Sequence, residues 1–209
     1  MKRAVLIAGL LAAIAATDRR AAAVSPPAAV SGAAVKRPAS AKLEELETIL
    51  LSRNDNDPRL DLDFDGLSVS DKRLFRKKYR EIAVEKRNER GTIVYLLGRN
   101  LKTPEDWEFF RRVALEPPCL SLSDCSKKPA PGSDEEATGD EITLAYPSLV
   151  ALRQARRVLE DGRARVSAQS AAVKASEREA LGLFAAAKKS KTRAVARTAA
   201  SLEKRFARP

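Results

Sequence analysis

The stretch DLDFDGLSVSDK, residues 61–72, has acidic side chains at its first, third and fifth positions and glycine at its sixth. Carboxylates at that spacing begin a calcium loop of the EF-hand kind, which also needs a bidentate acid at position twelve. Asp61, Asp63, Asp65 and Gly66 meet the pattern, but position twelve is Lys72, a cation where the last ligand belongs. The nearest acid, Asp71, comes one residue early, Ser68 takes the apolar eighth position, and NDNDPR upstream cannot be an entering helix. We therefore read a turn. Ser68 or Ser70 caps a helix starting near Asp71, in a Ser-x-x-acid pattern. Leu60, Leu62, Phe64 and Leu67 are expected to pack the turn onto the domain, with Gly66 free to take a positive φ. No metal and no cofactor is expected.

The second chemically capable pair is Cys119 and Cys125, in EPPCLSLSDCSKK. An even count in an exported chain reads as a disulfide, here closing a short loop after a helix. Zinc is the alternative, but a structural site needs four ligands and the chain has no histidine. The same absence removes Ser-His and Cys-His nucleophile arrangements and most zinc hydrolases. No glycine-rich phosphate loop appears, and no carboxylate pair sits in an apolar pocket sequence. A non-enzymatic protein is the expectation.

Export itself is read from the N-terminus. Lys2 and Arg3 precede AVLIAGLLAAIAA, thirteen uncharged residues followed by small ones, which are the three parts of a signal peptide over 1–16. That run is shorter than the roughly 20 residues needed to span a bilayer. Residues 17–41 are low in complexity and proline-bearing, as expected of a disordered linker. The remaining chain, about 165 residues, suffices for one domain with a real core. The mature protein is expected in the periplasm or outside the cell.

The elements that must position these residues read as helices. Leu43, Leu46, Ile49 and Leu50 recur at helical spacing, and NDNDP stops that helix. Leu74, Phe75, Tyr79 and Ile82 line one face of the next, with basic residues elsewhere. RNERGTIVYLLGRNL is dense enough for a central helix, its glycines spacing it or letting a neighbour approach. TPEDWEFFRRVALEPP has Thr103 as a cap and Pro104 at the first helical position, with Trp107, Phe110, Val113 and Ala114 inward. YPSLVALRQARRVLEDG turns Leu149, Leu152, Ala155 and Leu159 inward, with Gly162 as its stop.

These elements predict an all-α domain over 42–160, its short antiparallel helices stacked as hairpins, and a basic, alanine-rich helical region over 161–209. ERGTIVYLLGRNL followed by PEDWEFFRRVALEP resembles one helical hairpin of a HEAT-type repeat, over about 30 of the 209 residues. The resemblance implies a scaffold that binds a partner protein on a concave face.

Charge is uneven. Residues 40–117 carry sixteen acids and sixteen bases, whereas residues 151–209 carry fifteen bases against five acids and hold +10 of the net +11. Within KSKTRAVARTAASLEKRFARP, at about 100° per residue from Val195, Ala199, Leu202 and Phe206 fall within about 40° of one stripe. Arg193, Arg197, Lys204 and Arg208 fall at about 160–220°, opposite it. We expect a terminal helix that docks by its stripe, with the four cations in water. Those cations make an anionic surface or polymer (lipid, lipopolysaccharide or cell-wall polymer) the alternative partner. Nucleic acid is disfavoured, since Phe184 and Phe206 are the only aromatics in this third.

Overall fold

The computed structural model describes residues 39–129, 131–132, 141–164 and 171–206. The expected signal peptide (1–16) and residues 17–38 of the linker lie outside them, as does Arg208. Among the described residues there are nine helical segments and no strand, so the chain is an all-α bundle. They are α1 (Ala39–Ser52), α2 (Arg59–Leu62), α3 (Val69–Glu81), α4 (Arg87–Gly98) and α5 (Pro104–Ala114). After the disulfide loop come α6 (Glu141–Leu144), α7 (Tyr146–Ala164), α8 (Ala171–Ala187) and α9 (Arg193–Phe206).

The central helix is α4, whose Ile93, Val94, Leu96 and Leu97 are all buried. It packs chiefly on α7 and also on α3. Gly91 and Gly98 make the approach to α7 possible. They are seven residues apart, hence on one face, and a Cβ would collide with Tyr146 at the first and Gln154 at the second. Around this pair, α1 covers α3, and α5 lies against α7 and α8. The basic C-terminal third belongs to the same unit, because α8 packs on α5 and α7 while α9 packs on α8 and α7. Two helices, α8 and α9, occupy the alanine-rich segment.

Helix starts follow the local chemistry. Ser68, not Ser70, caps α3: its Oγ accepts from Asp71 N–H at 3.1 Å, and Asp71 Oδ2 accepts from Ser68 N–H at 2.9 Å. Thr103 and Asp106 make the same reciprocal box on α5, with Pro104 at its first position. Three expectations need correction. Gly162 does not stop α7, which runs on to Ala164. A single glycine inside a packed helix costs only about 1 kcal/mol, too little to end it. Leu62 is 75% exposed rather than packed, because residues 59–62 form a short helix whose inward position is Leu60. Basic residues of α3 are not all on its outer side: Lys72 is 3% exposed and points into the domain.

Candidate functional site, a cleft beside the disulfide loop

The acidic turn is built around side chains from the end of α4. Gly66 takes φ +73°, and Leu60, Phe64 and Leu67 are buried. Asn100, itself buried, clamps it: its amide donates to the Phe64 carbonyl at 2.9 Å and accepts from Leu67 N–H at 3.0 Å. Arg99 occupies the carboxylates, bridging Asp61 at 2.6 Å and Asp65 at 2.7 Å. Tyr95 donates its hydroxyl to Asp61 as well. A guanidinium thus pairs with two of the three acids of the turn. Among the described residues no group of three acidic, cysteine or histidine side chains is placed to hold a metal.

The other chemically marked pair leads to a cleft. The helix α5 ends at Ala114, and Pro117 and Pro118, which could not continue it, lead the chain into the Cys119–Cys125 disulfide loop. Hydrogen bonds fix the loop from inside: Leu120 N–H donates to the Cys125 carbonyl at 3.1 Å, and the Ser121 hydroxyl to the Asp124 carbonyl at 2.8 Å. From outside, Arg87 in the first turn of α4 donates to the carbonyls of Ser121 at 3.3 Å and Leu122 at 3.1 Å. Glu85 accepts from Cys125 N–H at 3.2 Å.

Facing the loop are the α6–α7 junction and the turn before α9, represented by Leu144, Ala145, Pro147 and Thr192. Between them lies a cleft of about 530 Å³. Ser148 ties the far wall back to α5 by donating to the Val113 carbonyl at 2.8 Å.

The floor is charged but internally committed. Arg90 reaches both oxygens of Glu116, at 2.9 and 3.1 Å, and its guanidinium lies 4.1 Å from the Tyr79 ring centroid. Tyr79 donates to Glu116 at 2.9 Å. Burial pushes the Glu116 carboxyl above its ordinary range, and the attraction of Arg90 offsets this only in part. Burial likewise pushes Tyr79 up, helped by the neighbouring Glu116 charge. The phenol therefore stays protonated and donating. This floor ties α3 and α4 to the chain just after α5.

Among the residues singled out from the sequence, Cys119 and Cys125 wall the cleft. Arg193, Arg197 and Lys204 lie on the exposed side of α9 instead. Val195, Ala199, Leu202 and Phe206 are buried, so the helical phase and the docking of the stripe are as expected. Arg197 pairs with Glu141 at 3.1 Å. Sequence reasoning missed Arg87, Arg90 and Glu116, because their partners are 26 to 38 residues away in the chain. Comparison with protein-family models, with characterised proteins and with solved structures finds no match for this chain.

Proposed function

We propose that the protein is an exported, non-enzymatic helical scaffold that docks a partner protein in the cleft beside the disulfide loop. One observation carries the reading: the cleft's wall is mostly apolar and proline-rich, and is held rigid before any partner arrives. A wall already fixed by a disulfide, by Arg87 and by Glu85 loses little freedom on binding, which favours affinity. Pro117 and Pro118 offer flat apolar surface to a side chain inserted from outside. The resemblance of ERGTIVYLLGRNL and PEDWEFFRRVALEP to a HEAT-type hairpin points to the same class of role, by analogy.

Export rests on the N-terminal pattern and on the disulfide, which suits an oxidising compartment. No helix among the described residues is long and apolar enough to cross a membrane. A periplasmic or extracellular scaffold fits both.

A photo-crosslinker in place of Leu144 tests the docking. It should trap one protein reproducibly from the native envelope, and Val84→Trp at the cleft wall should abolish the product. A product unchanged by Val84→Trp would remove the cleft from the proposal. Mass spectrometry of the mature N-terminus tests export, and an intact Met1 in the mature chain would overturn it.

A further inference from the structure

We infer that the α8–α9 turn and the outward face of α9 form a binding site for a linear polyanion, an acidic polysaccharide being the chemistry that fits. This site is separate from the cleft and does not depend on it. Residues 188–193, KKSKTR, put four cations into six positions. Lys189, Lys191 and Arg193 are exposed and have no ion-pair partner among the described residues, and the same holds for Lys204. Other cations of this surface are already neutralised: Lys188 by Glu203, Arg197 by Glu141 at 3.1 Å and Arg205 by Glu160 at 3.2 Å.

The turn is fixed. Lys189 and Ser190 N–H groups each donate back into the end of α8 at 3.0 Å, and Thr192 is buried at 4% exposure. The backbone that carries the free cations is therefore fixed before a ligand arrives. Arg193 and Lys204 are about 20° apart in helical phase and about 17 Å apart along the axis. Lys189 and Lys191 extend the charge beyond the start of α9. The result is a row of charge, which suits an extended chain bearing regular carboxylates or sulfates.

The geometry disfavours the other polyanions. Every sizeable apolar side chain of α9 faces the core, with Val195 fully buried and Phe206 at 6%, so none remains to insert into lipid. Phe184 and Phe206 are both buried, so the row has no aromatic on which bases could stack.

The full chain should be titrated with heparin as a sulfated linear probe, across a salt series. Replacing Lys189, Lys191 and Arg193 together with serine should weaken binding about tenfold or more and reduce the salt slope by about 2. Replacing Arg73, Lys77 and Arg80, exposed cations of α3, removes the same charge and should change affinity less than about twofold. Equal losses in the two triples would mean that net charge alone binds heparin, and would overturn the site. Vesicles containing phosphatidylglycerol and a single-stranded oligonucleotide serve as competing probes. Tighter, patch-dependent binding of either one would replace the polysaccharide with a membrane or a nucleic acid.

Discussion

Helices α3 and α9 are both basic and both amphipathic, yet they place their cations differently. In α3, Lys72 and Arg76 turn toward the core and meet Asp106 at 2.6 and 2.8 Å. In α9, Arg193, Arg197, Lys204 and Arg205 all remain exposed. The difference lies in the neighbouring helix. Asp106 stands at the third position of α5, where its carboxylate already accepts from the backbone N–H groups of Lys102 and Thr103, each at 3.0 Å. Its remaining capacity takes up the two cations. The helix α9 packs on α8, whose buried side chains Ala180, Leu183, Phe184 and Ala187 are all apolar and offer an inward lysine no acid. Of these two helices, only the one faced by an acid turns cations inward.

Breaking that arrangement should have the largest effect. Asp106→Ala removes the reciprocal half of the α5 capping box and leaves Lys72 buried without its carboxylate, which should cost about 3–5 kcal/mol in denaturant unfolding. Burial acts to raise the Asp106 carboxyl, but the bonds from Lys72, Thr103 and Lys102 outweigh it and hold it below the ordinary range. A carboxyl lowered in the folded state contributes stability above its unfolded value, and that contribution is lost as pH falls through the folded value. Stability should therefore decline below about pH 4, and Asp106→Asn should make that decline shallower.

On the α9 side the same magnitude of damage requires attacking the stripe rather than the charges. Leu202→Asp puts a carboxylate against the apolar face of α8 and should cost about 2–4 kcal/mol. Hydrogen exchange and limited proteolysis should show α9 released while α4 stays protected. A uniform loss of protection would mean that α9 belongs to the central cooperative unit.

The disulfide loop should respond less. Cys119→Ser with Cys125→Ser should cost about 2 kcal/mol, since a six-residue separation closes only a short loop. Exchange should rise locally around 119–125 with the core intact. Free thiols at both positions in natively purified protein would refute the bond itself. Arg197→Ala should be nearly silent, below about 0.5 kcal/mol, because its pair with Glu141 is exposed. A cost approaching that of Asp106→Ala would contradict the contrast between the two helices.

The sequence by itself determined the local structure. Thr103-Pro104 and Ser68 with Asp71 state their helix starts in side-chain chemistry acting within three residues. The spacing of Val195, Ala199, Leu202 and Phe206 sets which side of α9 is buried, because apolar side chains in one helical phase share a face and leave water together. Gly91 and Gly98 were legible as places where a neighbour approaches, though not that Tyr146 and Gln154 are the neighbours. Tertiary structure alone decided the rest. Lys72 reads as a surface residue until α5 brings Asp106 beside it, 34 residues along the chain. Asp61 and Asp65 read as the acids of a polar turn, and only the fold brings Arg99 between them. Arg90, Tyr79 and Glu116 form a floor only when α3, α4 and the end of α5 converge. Charges and polar groups are placed by partners, and partners distant in sequence have no spacing by which to be recognised. Apolar residues are placed by exclusion from water, and that leaves its period in the chain.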